Sequence, residues 1–167
     1  GGGLSKLEEI GFALQRFKTE KPIIAVGDYY SQSQYFLAAH ANEIILNPLG
    51  GVIINGFSSY RSYFKEALDK LDITVNVFRA GQYKSAVEPL MGNSMSPQVR
   101  EETRILLDDL WSFYSSEIED LRSLETGSIN NYTNKLHLAL AENGGDTALL
   151  AKNAGLIDTI ATRTEIN

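Results

Sequence analysis

Residues 21–48, KPIIAVGDYYSQSQYFLAAHANEIILNP, decide how the chain is read. Pro22 closes whatever precedes it. Ile23 to Val26 then form a short continuous apolar run, the pattern of a strand buried on both faces. Gly27 and Asp28 end that run. Ser31 follows as a helix-capping residue, and Tyr35, Phe36 and Leu37 carry an apolar helical segment from about residue 31 to 41. Residues 43–48, EIILNP, restore a short strand closed by proline. Strand, helix, strand over so few residues predicts a crossover unit, hence an α/β fold with a mostly parallel sheet flanked by helices.

Working outward, Leu4, Leu7, Leu14 and Phe17 recur at helical spacing with charged residues between them. This predicts an amphipathic helix over residues 4–18. Residues 50–56, GGVIING, read as another strand. Residues 58–71, SSYRSYFKEALDKL, read as helical, with Tyr60, Phe64 and Leu68 on one face. Residues 73–81, ITVNVFRAG, alternate and are rich in β-branched side chains, which predicts a strand. Beyond Pro89 the character turns helical. Ser96 and Pro97 are a helix start, and Val99, Leu106, Leu110, Phe113 and Leu121 suggest one apolar face reaching about residue 124. A shorter helix over residues 129–145 is closed by Gly144 and Gly145. A further helix starts on the capping residue Asp146 and ends at Gly155.

The chain has 167 residues, a formal net charge of −6 and no cysteine. One domain, or one compact piece of a larger protein, is the size expectation. The missing cysteines exclude thiolate catalysis, disulfides and cysteine metal sites. Mild acidity without a basic stripe argues against a nucleic-acid partner. No apolar run approaches the roughly 20 residues that span a bilayer. The chain opens on Gly1, Gly2 and Gly3 without methionine, which is read as the interior of a longer gene product.

Few residues offer chemistry. His40 and His137 are far apart in sequence and lack acidic partners at ligand spacing, so no metal and no cofactor are expected. Neither a complete dinucleotide-binding nor a P-loop pattern is present. Ser31 and Ser33 lie at a strand-to-helix turn, a natural place for a nucleophile, although local reasoning favours a helix cap, a role that suits Ser31 well. Lys84, in the stretch VFRAGQYKSAVEP at residues 77–89, follows the strand predicted over residues 73–81. A lysine acts as a general base only when burial or a neighbouring positive charge lowers its pKa. Read locally, it is one loop lysine among others.

Taken together, residues 21–48, FRAGQYKSAVEP at 78–89, MSPQVRE at 95–101 and GGDTALLAKNAGLID at 144–158 resemble the signal peptide peptidase A (protease IV) family. The resemblance runs through nearly the whole chain in order, and YKSAVEP is its most specific element. It implies a Clp protease/crotonase-like α/β fold with a helical C-terminal portion. It also implies a serine nucleophile with a lysine general base, acting on remnant signal peptides at the periplasmic face of the bacterial inner membrane. In the family's long form the domain is duplicated, the first half supplying the lysine and the second the serine.

By this resemblance Lys84 matches the catalytic lysine. Aligned on Tyr35, Gln32 stands where single-domain members place their serine, with Ser33 and Gln34 at the two following glycine positions. That makes Ser31 and Ser33 poor nucleophiles and argues against an oxyanion hole here, because side chains crowd that backbone. Residues 1–167 are thus expected to be one domain, a lysine-bearing amino-terminal half. It lacks a first strand and a serine-bearing second half, and is inactive alone. The implied partners are hydrophobic signal-peptide fragments, the second half, and further copies in a homo-oligomer, a tetramer by resemblance. Two rival readings are a non-catalytic scaffolding domain of the same assembly and a crotonase-like acyl-thioester enzyme. No acidic catalytic residue supports the latter.

Overall fold

The computed structural model describes residues 3–76 and 87–166. The chain divides into two compact units. One is built from the residues up to Gly56 together with those from Ser112 onward, the other from Phe57–Trp111.

The first unit opens with helix α1, Leu4–Lys18, at the bounds its apolar spacing predicts. Strand β1, Ile24–Gly27, leads to the two-residue strand β2, Tyr30–Ser31, and then to helix α2, Gln32–Ala38. Strands β3, Glu43–Leu46, and β4, Val52–Ile53, follow. β1, β3 and β5 (Thr159–Ile160) form a parallel sheet in the order β1-β3-β5. β2 and β4 form a separate parallel pair. The α/β reading with parallel strands therefore holds, although both sheets are small.

The central strand β3 carries the core: Ile44, Ile45 and Leu46 are all buried. α2 adds buried Tyr35 and Phe36 to the core, and the Phe36 ring lies at a tilt to those of Phe113 and Tyr114. Tyr35 is fully buried, and its hydroxyl donates to the Leu156 carbonyl at 2.7 Å, tying α2 to the distant chain end. β1 departs from the sequence reading. Ile24 and Val26 are 55% and 46% exposed, so this strand is not buried on both faces. Its apolar run belongs to a strand paired on one edge only among the described residues.

In the second unit, residues 58–64 are not helical. Helix α3 spans only Lys65–Lys70, and Tyr60 is 93% exposed. The spacing of Tyr60 to Phe64 is helical, but the Tyr60 side chain stays exposed, so its contribution to a helix face is lost. Residues 73–76 are likewise not in a strand, and residues 77–81, the rest of that expected strand, lie outside the described residues. Helix α4, Glu88–Met91, precedes α5, Pro97–Leu121.

α5 starts where Ser96-Pro97 predicts, with the Ser96 hydroxyl accepting from Val99 N. Its buried face is Tyr114, Ser115, Ile118 and Glu119; Leu106, assigned to that face from sequence, is exposed. The helix expected over residues 129–145 is two helices, α6 (Ser128–Asn134) and α7 (Leu136–Glu142). Buried Glu119 joins α5 to the start of α6 by accepting from Ile129 N at 2.9 Å. Helix α8, Thr147–Asn153, is capped by Asp146, whose carboxylate accepts from Leu149 N. Gly155, at φ +73°, ends it as expected. β5 and the closing helix α9, Arg163–Ile166, have no strong signature in the sequence.

Candidate functional site

Lys84, the one residue singled out as catalytic, lies outside the described residues. Its downstream neighbourhood is described. Glu88 opens α4, and its Oε1 accepts from Ser96 N at 3.0 Å. Hydrogen bonds from Ser96 hold this carboxyl below the usual range against its partial desolvation, and the Arg61 charge adds to the effect. Glu88 thus remains an anion that links the start of α4 to the cap of α5.

The strand-to-helix turn after β1 is described in full. Ser31 is the residue before α2, and both its backbone N–H and its hydroxyl donate to Gln34 Oε1, at 2.9 and 2.8 Å. The hydroxyl is thus engaged in a local capping arrangement, the alternative that the sequence left open. Ser33 is exposed one residue into the helix. Neither serine has a histidine or lysine as hydrogen-bond partner among the described residues.

Gln32 is the first residue of α2, and it is held at both ends. Its backbone carbonyl accepts from the Tyr114 hydroxyl at 3.0 Å. Its side-chain Oε1 accepts from two successive backbone amides, Asn55 N at 3.0 Å and Gly56 N at 2.8 Å. The β2–β4 ladder explains why those amides are available. Tyr30 pairs with Val52 and Ser31 with Ile53, after which the first strand coils into α2 while the second runs on. Residues 55 and 56 then lack a strand partner on that side, and the Gln32 carboxamide supplies the acceptor. Sequence reasoning placed Gln32 at the nucleophile position but missed this bond, since its partners lie 23 and 24 residues away.

The histidines play no visible part in this turn. His137 is exposed on α7. His40 lies just past α2, is only 2% exposed, and meets Phe36 edge-on. Its ring fills the space left by Gly11 of α1, where a Cβ would sit 2.5 Å from Nε2. Burial, aided by the Lys18 charge, lowers its pKa, so it is a neutral core residue. Among the described residues no group of three or more acidic or histidine side chains is placed to hold a metal. No described helix is long and apolar enough to cross a membrane.

Comparison with known proteins covers nearly all of this architecture. The chain is 38% identical over 168 residues to Protease 4 of Haemophilus influenzae, a match of 100% of this chain and 27% of that protein. It is 38% identical over 167 residues to Protease 4 of Salmonella typhi, covering 99% of this chain and again 27% of the relative. The chloroplastic serine protease SPPA of Arabidopsis thaliana is 27% identical over 134 residues, 80% of this chain and 20% of its own length. The chain therefore corresponds to a part of those longer proteins. The profile of peptidase family S49 matches residues 15–167, from the end of α1 through the last helix, and the chain belongs to that family.

Proposed function

We propose that this chain is the lysine-bearing, amino-terminal half of a serine peptidase that degrades remnant signal peptides through a Ser-Lys dyad. Lys84 is the general base, and the nucleophilic serine comes from a second half of the same protein. The observation that carries this reading is the state of Gln32. In a chain of a peptidase family, the turn where a nucleophile is expected holds a carboxamide committed to two backbone amides. Neither serine of that turn has a general base as a hydrogen-bond partner among the described residues: the Ser31 hydroxyl is bonded to Gln34, and Ser33 is exposed on the helix. The lysine motif YKSAVEP is nonetheless intact.

The physical requirement is simple. A neutral lysine accepts the serine proton only when it lies within about 2.6–3.2 Å of the hydroxyl and away from water. A domain with the lysine and no nucleophile therefore needs a second surface to complete the site and to desolvate the amine. Alone it is inactive. The parallel strands and flanking helices are consistent with a Clp protease/crotonase-like fold. The proposed setting is the periplasmic face of the bacterial inner membrane, in a homotetramer with apolar peptide substrates.

The test restores the serine-bearing half and follows cleavage of a fluorogenic signal-peptide fragment. Lys84→Ala is expected to lower the rate by about 10²–10⁴-fold, the range for loss of a general base, with the circular dichroism spectrum unchanged. Cleavage at near wild-type rate sinks the assignment.

A further inference from the structure

The geometry points to a second role for the turn: we propose that the Asn55 and Gly56 amides form a site for a main-chain carbonyl of an extended peptide, with the Gln32 side chain filling it as a tethered competitor. The inference rests on the peptidase reading only in naming a peptide as the occupant. Two consecutive N–H groups converge on one oxygen, at 3.0 and 2.8 Å. Gly56 adopts φ +76°, a left-handed conformation of the kind that turns successive amides toward a common acceptor. A glutamine carboxamide is chemically a peptide carbonyl on a short tether. It sits where the β2–β4 ladder runs out of strand, which is where an added strand would present its own carbonyl.

The bond to the side chain is not the only tie on α2. The backbone carbonyl of Gln32 is fixed separately by the Tyr114 hydroxyl, and the start of the helix by the Ser31–Gln34 arrangement. The carboxamide can therefore leave the amides while the helix keeps its other ties. Ile53 and Asn55 are exposed, so the end of β4 is open to an approaching chain.

The experiment follows the Asn55 and Gly56 amide protons by NMR in the unchanged chain and in Gln32→Ala. The probe is an N-acetylated, C-amidated hexapeptide of alternating leucine and alanine. The variant is expected to show saturable downfield shifts at both amides, with apparent affinity about tenfold tighter than the unchanged chain, the worth of one or two displaced hydrogen bonds. Equal responses in the two proteins, or none in either, overturn the proposal. So does a response to sodium acetate without one to the peptide, which makes the pair a simple anion site. If Gln32→Ala does not fold, Gln32→Ser takes its place; failure of both overturns the proposal, because the carboxamide is then a structural brace. No step measures cleavage, so the outcome is independent of the role of Lys84.

Discussion

Tyr35→Phe removes a single oxygen from the centre of the first unit. The Tyr35 ring has no exposure, and its hydroxyl donates to the Leu156 carbonyl at 2.7 Å across 121 residues of sequence. Phenylalanine keeps the ring, so the edge contact with Tyr30 is retained and no cavity larger than the oxygen appears. The cost is the lost hydrogen bond together with a buried carbonyl deprived of its donor. A net neutral bond contributes about 0.5–1.5 kcal/mol, and an orphaned buried group costs about 1–3 kcal/mol. The expected loss is therefore about 1–3 kcal/mol. For a chain of this size the midpoint of thermal unfolding should drop by about 2–4 °C per kcal/mol. Urea unfolding of the two proteins, with slopes compared, provides the free energy directly. Tyr29→Phe, at an exposed tyrosine two residues past β1, serves as the control and should be neutral. A Tyr35→Phe loss below about 0.5 kcal/mol at unchanged slope would mean that α2 and the Leu156 segment are not joined as described. Burial also pushes the Tyr35 phenol far above the usual tyrosine range, so the bond should persist through mild alkali.

His40 and Asp158 should set the acid response. The folded pKa of His40 is depressed by burial and by Lys18, so the unfolded chain takes up the proton first. Stability should be full above about 6.5 and fall as pH drops from there through the folded value. His40→Leu should flatten urea midpoints between pH 7 and pH 5, and an unchanged slope refutes the assignment. For Asp158, burial opposes ionisation, but the Arg122 hydrogen bonds, the Ile44 amide and the charges of Arg122 and Lys18 hold it below the usual range. Its contribution is present above about 3.9 and lost as pH falls through the folded value. Asp158→Asn leaves the largely buried Arg122 guanidinium without its anion and should cost about 1–3 kcal/mol near neutral pH, discounted for the exposure of Asp158. A loss under 0.5 kcal/mol by urea unfolding tells against the pair.

Much of the fold was legible because it is written locally. Helix α1 has its apolar residues at regular spacing, and α5 and α8 have capping residues one position before they begin. What failed depends on partners distant in sequence. Ile24 and Val26 read as doubly buried because an apolar run carries no record of whether both faces are covered. Tyr60 read as part of a helix face because spacing alone does not reveal that its side chain stays exposed. β5 is two residues long and exists through its pairing with Ile45 and Leu46, more than a hundred residues earlier. At the site, Gln32 stood out only through resemblance, and its bonds to residues 55 and 56 follow from where β2 stops. Lys84 was named from its motif, while its surroundings in space are outside the described residues.

The parallel sheet that joins β3 to β5 has a consequence for biogenesis. Ile44 N is bonded to the Asp158 carboxylate, Asp158 N to the Ile44 carbonyl, and Tyr35 to Leu156. Each closes a loop of more than a hundred residues, and the whole Phe57–Trp111 unit lies within it. During synthesis from the amino terminus, β3 must leave the ribosome long before its partner exists. Loop closure of this length is slow, and an unpaired apolar edge is prone to association while it waits. Completion of the central sheet thus waits for the segment around Asp158 to be translated, and a nascent chain stopped short of it has a core without that strand.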